Sequence, residues 1–165
     1  MPQTAVANLL KMDLWDLAEV RAGKGANAAT IRYRKPVLSG QEATGYDRVL
    51  RIVWVFAPEG SRVLPSEELG ERMGLFEDRL CEAVEHDAHA VLAAVLTFDG
   101  ARQWVFYTGD VPECGRRIEA MPQEAEPYPV EQTAESDPEW SYLRDEILKR
   151  VPWRGEGNGP AVSGV

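Results

Sequence analysis

The 165-residue chain is 44% hydrophobic and carries five Trp, which suits one domain with a core of its own. No run approaches the ~20 apolar residues that cross a bilayer, and two Cys exclude a disulfide framework. The net charge of −9 argues against binding a phosphate backbone, so no nucleic-acid partner is expected.

The start, MPQTAVANLLKMDLW, has a weak helical look and lacks a basic segment ahead of an apolar one. No secretory signal is therefore expected, and the cytoplasm is the natural compartment. WDLAEVRAG and NAATIRYRKP flank Lys24-Gly25-Ala26 and read as a hairpin. Gly23-Lys24-Gly25 is not a dinucleotide fingerprint, because neither a helix nor a third Gly follows it. After the polar loop LSGQEATG, YDRVLRIVWVFAP is β-branched and aromatic, and it is stopped by Pro58. In SEELGERMGLFEDRLCEAVEH, Leu69, Met73, Phe76, Leu80 and Val84 form one helical stripe, with Ser66 as N-cap. Gly70 and Gly74 weaken that helix, and their spacing predicts close approach by another element.

Ala90 to Phe98 is apolar throughout, as befits a strand covered on both faces. Asp99-Gly100 predicts a two-residue hairpin turn into ARQWVFYT. In that register Trp104 and Phe106 share a face with Val95 and Val91, while Val105 and Tyr107 share the other with Leu96 and Leu92. Asp110 and Glu113 open a second helix with Cys114, Ile118 and Met121 on its inner face. YPVEQTAE reads as an edge strand, since Pro129 is tolerated only there. SDPEWSYLRDEILKR reads as a third helix capped by Asp137, with Trp140, Leu143 and Ile147 on its apolar face. Residues 1–150 thus form a single α+β domain, and the Gly-rich residues 151–165 a flexible tail.

From Tyr46 onward the element order is β-α-β-β-α-β, with a hairpin in front and a helix behind. This predicts a ferredoxin-like plait. Two helices would cover one sheet face. The other needs the C-terminal helix, the N-terminal segment or a partner subunit, and a homodimer through that face follows from the last option.

Chemistry-bearing motifs are sparse. His86 and His89 lie at a helix end with no third His to complete a metal set. Cys81 and Cys114 have no adjacent base, and no nucleophile elbow is present. No catalytic residue, metal site or cofactor is assigned on these grounds. Trp54 and Trp104 alternate within strands and read as core. Trp15, Trp140 and Trp153 read as rim or partner contacts. Arg51 interrupts the face of Val49, Val53 and Val55, so it must reach water, a carboxylate or a ligand. Charge is unevenly placed: residues 1–64 hold nine basic and six acidic residues, and the remainder nine and twenty-one. From Ile118 to Trp140 there are seven acidic residues and no basic one. Such a surface attracts a basic protein partner, although acidity also serves solubility alone.

An early Trp before a hairpin, the strand RIVWVF, the Leu-Pro-Ser-Glu-Glu helix start, LTFDGARQWVFYTGD and the segment Asp137-Pro138-Glu139-Trp140-Ser141-Tyr142 together resemble domain-of-unknown-function family 695. The resemblance runs from about Leu14 to Leu148 and implies no activity. A looser similarity, in the strand, Asp-Gly turn and aromatic strand, points to the protein B-type regulators of ribonuclease E. It implies a modulator that binds an enzyme.

The reading that results is a non-enzymatic binding or regulatory module, docking a basic protein partner through its acidic C-terminal half. Its binding residues are Trp15, Arg51, Glu131, Glu135, Asp137, Glu139, Trp140 and Tyr142. The alternative is a small-molecule binder or enzyme with a pocket between the sheet and the terminal segments, lined by Arg51, Trp104 and Tyr107.

Overall fold

A computed structural model describes residues 2–21, 28–58 and 64–150. The elements are α1 (Pro2–Met12), β1 (Leu14–Arg21), β2 (Ala28–Lys35), β3 (Arg48–Val55), α2 (Glu67–Val84), β4 (Ala90–Phe98), β5 (Ala101–Thr108), α3 (Val111–Ala120) and β6 (Val130–Ser136). A π-helical turn, Tyr142–Ile147, and a 3-10 turn, Leu148–Arg150, close the chain. The expected loop at Lys24-Gly25-Ala26, Trp153 and the tail lie outside the described residues.

The six strands form one antiparallel sheet in the order β1-β2-β4-β5-β3-β6, so the fold is α+β. Because β3 and β4 both pair with β5, they run the same way on either side of it, and α2 is the crossover between them. By the same logic β5 and β6 flank β3, with α3 as their crossover. Both helices pack on one sheet face. There Met73, Phe76, Leu80 and Val84 of α2 and Cys114 and Ile118 of α3 meet Leu50, Ile52, Trp54, Leu92, Trp104 and Phe106.

Local chemistry explains the ends of these helices. The Ser66 hydroxyl accepts from the Leu69 amide at 3.1 Å, and Asp110 Oδ1 accepts from the Glu113 amide at 3.2 Å. The capping box is not completed: the Glu113 carboxylate turns outward to Arg116 and Arg117 instead. A Cβ at Gly70 or Gly74 would meet nothing within 4 Å, so these glycines do not mark a close approach. Gly40 does. A Cβ there would lie 2.2 Å from the Pro138 carbonyl oxygen, where the loop before β3 meets the chain after β6.

The second sheet face is also covered. Val6 and Leu9 of α1, Leu38, Ala43 and Tyr46 of the loop, and Trp140, Leu143 and Ile147 pack on Ile31, Tyr33, Val49, Val91, Val105 and Tyr107. Of the three covers the sequence leaves open for this face, the N-terminal segment and the C-terminal segment both lie on it.

Two features depart from the sequence reading. Asp99 and Gly100 form the expected turn, with φ of 62° and 82°, and Phe98 opposes Ala101. Further along, however, the register shifts between Leu92 and Ala94. The extra residue is Ala93, a β-bulge. A one-residue shift exchanges the two faces, so Leu92 joins Trp104 and Phe106 under the helices, and Val91 joins Tyr107 on the other side.

The second feature is Arg34, only 5% exposed and unforeseen from sequence. Pairing of β2 with β4 ends at Tyr33 and Ala94, just before the bulge. There Arg34 Nε donates to the Leu92 carbonyl at 3.0 Å, and the Leu92 amide donates to Glu85 Oε2 at 2.6 Å. The two side chains also pair with each other at 3.1 Å, while Arg34 Nη1 reaches Asp13 at 3.0 Å. Burial, opposed by Arg34, raises the Glu85 carboxyl above its ordinary range. Removing one partner of such a pair leaves a buried charge unmatched. Arg34→Met is therefore expected to cost about 3–5 kcal/mol in urea denaturation. The double variant Arg34→Met/Glu85→Gln should lose less than the two single losses added together.

Candidate functional site

β6 is the last strand of the sheet and pairs only with β3, which leaves its outer backbone edge open among the described residues. Residues 131–136 are all exposed. The register sets Glu131 opposite Val53, Thr133 opposite Arg51 and Glu135 opposite Val49. Side chains alternate across a strand, so both glutamates project on the face that carries the C-terminal turn, about 13 Å apart along the strand. Arg51 Nη2 donates to Glu135 Oε2 at 3.0 Å, and its guanidinium sits 4.8 Å above the Tyr142 ring. Arg51, Glu135 and Tyr142 thus come together, with Arg51 in an ion pair.

Asp137 and Trp140 have a different place. Trp140 is 1% exposed and Asp137 is buried, so neither lies on a rim. The Asp137 carboxylate accepts from the Ser141 amide at 2.9 Å, the Tyr142 amide at 2.9 Å and the Tyr107 hydroxyl at 2.6 Å. It caps the turn and ties it to the middle of the sheet. Trp140 adopts φ 60°, a left-handed conformation that swings its ring inward against Tyr107, with centroids 4.1 Å apart and planes at 12°. Its indole N–H donates to the Tyr46 carbonyl at 2.8 Å. This reversal delays the final helix to Tyr142, so Glu139 stays exposed and Tyr142 half-exposed.

Beside Tyr142 lies an open cleft of about 280 Å³. Val53, Leu96, Phe98, Ala101 and Ile147 give it an apolar floor, and Gln103, Tyr142 and Glu146 line its polar side. Gln103 Nε2 donates to the Tyr142 hydroxyl at 2.7 Å, which leaves that hydroxyl's own proton available to a ligand. The Glu146 carboxylate makes no ion pair among the described residues. Val53 lines the cleft and is the register partner of Glu131, so the cleft and the acidic strip adjoin. Trp104 and Tyr107, the expected liners, are fully buried. Trp104 lies on the opposite face, where its N–H donates to Glu77 Oε1 at 2.9 Å. Gln103 and Glu146 were missed. The signal for Gln103 was a polar residue on the same strand face as Val105 and Tyr107, and for Glu146 its position one turn after Tyr142.

Trp15 lies at the far edge of the sheet, half-buried, with the Arg34 and Arg32 guanidinium groups 4.4 and 4.9 Å from its ring centroid. It is separated from the acidic strip by the width of the sheet. His86 Nδ1 approaches the Glu82 carbonyl, and His89 Nε2 the Asp110 carbonyl. No three metal-ligating side chains cluster among the described residues. Burial raises the Cys81 thiol well above its ordinary value and also raises the Cys114 thiol, which disfavours the thiolate. No described helix is long and apolar enough to cross a membrane.

A family model described as a family of unknown function (DUF695) matches residues 15–147. The chain belongs to this family. The DUF695 match runs from Trp15 on β1 to Ile147 on the cleft wall, and so takes in all six strands and the acidic strip. Neither the curated proteins nor the solved structures gave a match.

Within the DUF695 region, Tyr107 links the sheet to the wall of the cleft. Burial first, then its bond to Asp137, pushes its phenol far above the ordinary 10.0. The phenol of the unfolded chain ionises near 10 while that of the folded chain does not. Stability from this group is therefore complete below pH 10 and falls as pH rises beyond it. Tyr107→Phe should lower stability by about 1.5–3 kcal/mol at pH 7, as expected for a bond to a charged group. It should also flatten the loss above pH 10 in denaturation curves taken from pH 7 to 11.

Proposed function

We propose that this protein is a cytoplasmic, non-enzymatic binding module that docks a basic protein partner along β6 and the adjoining cleft. The single observation carrying this reading is an open strand edge bearing exposed Glu131 and Glu135, the former adjoining an apolar cleft that Glu146 lines. Charge alone gives steering and weak affinity. An apolar anchor seated between Phe98, Leu96 and Ile147 would supply the desolvated centre that tight interfaces require. An extended basic segment fits these demands: its backbone can meet the β6 edge, and its Lys or Arg residues the glutamates. A role as modulator of the bound partner is part of the proposal, in keeping with the looser resemblance to regulators of ribonuclease E.

A second reading rests on the polar groups of the cleft. The Glu146 carboxylate, the Gln103 carbonyl and the Tyr142 hydroxyl would suit a small ligand with an apolar body and an amine end.

The test is capture from native lysate at low and high salt, followed by binary titration with the purified target. Under the first reading a stoichiometric protein is retained at low salt and lost at high salt. Glu131→Lys/Glu135→Lys/Glu146→Lys then weakens the binary complex by tenfold or more, while Glu113→Lys on α3 leaves it intact. Retention unaffected by the triple reversal overturns the acidic-strip reading. Empty captures together with amine-bearing compounds that raise the melting temperature favour the second reading.

A further inference from the structure

The opposite sheet face holds a cluster of the reverse sign. On the side that carries α2, the strands place Arg32 beside Val95, Thr30 beside Thr97, and Thr97 beside Arg102. Arg32 Nη2 donates to Glu77 Oε1 at 2.6 Å, and the same oxygen accepts the Trp104 N–H at 2.9 Å. Glu77 is therefore already engaged. Arg102 donates through Nε to the Thr97 hydroxyl at 2.8 Å, and Thr97 is buried, which fixes the plane of the guanidinium. The two terminal nitrogens of Arg102 meet no carboxylate within ion-pair distance among the described residues.

Among the described residues the local charge does not balance. Arg34, on the same strand as Arg32, is matched by Asp13 and Glu85. Among the described residues Arg32 pairs with Glu77, and Arg102 has only the longer-range attraction of the same carboxylate. Arg102 is half-buried, and desolvation lowers its pKa; Glu77 opposes that effect, and the neighbouring Arg32 adds to it. A partly desolvated cation beside a like charge is costly unless an anion neutralises it.

We propose that Arg32 and Arg102 form a binding site for a small oxyanion of the phosphate or carboxylate class. The forward edge of the Arg102 guanidinium offers two parallel N–H donors, the geometry that matches two oxygens of such a group. Nη1 of Arg32, which makes no hydrogen bond among the described residues, supplies a third donor. Thr97 is a positioning residue: its hydroxyl takes the Nε donor, and the terminal nitrogens make no hydrogen bond among the described residues. This site lies on the sheet face opposite the acidic strip and does not rest on the proposal made for that strip.

The experiment follows the Arg side-chain Nε–Hε resonances of the full chain by NMR. Inorganic phosphate and acetate are each titrated against chloride at matched ionic strength. A saturable shift of the Arg102 resonance with phosphate identifies a phosphoryl-type ligand, and one with acetate alone identifies a carboxylate. Arg102→Lys keeps the charge and removes the fork, and it should weaken binding tenfold or more. Arg144→Lys, in the C-terminal turn on the other face, should leave it unchanged. No shift with either anion, or one reproduced by chloride, overturns the proposal, as does equal affinity in the Arg102→Lys variant.

Discussion

The architecture turns on how the backbone of Leu92 is satisfied. β4 lies between β2 and β5, and its bulge at Ala93 breaks the ladder toward β2. That break leaves a buried amide and carbonyl which must find partners elsewhere. Glu85 takes the amide and Arg34 takes the carbonyl, and the two are paired with each other. A buried ion pair gives little net stability against an apolar substitute. Here its worth lies in holding a register. With the bulge in place, Leu92 and Phe106 face the helices, while Val91 and Tyr107 face the second layer. Tyr107 in turn meets Asp137 and Trp140, so the wall of the cleft follows from an irregularity on the neighbouring strand.

Much of this was legible in the residues. The helical stripe of α2, the Asp99-Gly100 turn, the edge character of β6 and the pairing of Val95 with Trp104 follow from period, turn chemistry and Pro placement. The bulge was not. Alternation locates a strand's faces only where polar and apolar residues alternate, and AVLAAVLTF is apolar on both sides. Arg34 was hidden for another reason: its partners lie 21 and 51 positions away. Trp140 follows a polar helix start, which locally argues for the surface. Its inward aim depends on a left-handed backbone angle stabilised by the Tyr107 ring and the Tyr46 carbonyl. Asp137 was read correctly as a cap, but its hydroxyl partner could come only from the folded sheet.

The strands bring charges of opposite sign to the two faces of the sheet, and α2 adds acidic residues to the arginine side. β6 and the C-terminal turn bring glutamates to one face. β2 brings Arg32 and Arg34 to the other, where α2 supplies the compensating Glu77 and Glu85. The arginines of β2 are therefore matched, whereas of the two β6 glutamates Arg51 serves Glu135 and leaves Glu131 without an ion pair among the described residues. Net charge sets solubility and encounter rates. The unmatched groups set where a partner or an ion can gain by arriving.

The anchoring of the last turn has one more consequence. Asp137 receives two backbone amides of the turn and a hydroxyl from a central strand, and Trp140 lies flat on the ring of that same strand residue. Fraying of this segment would strand a buried carboxylate and expose an indole, so it opens with the core and not ahead of it. The segment carrying Tyr142, Glu146 and Ile147 therefore acts as a rigid jaw. Whatever enters the cleft meets a preorganised surface and bears little of the entropic cost of ordering it.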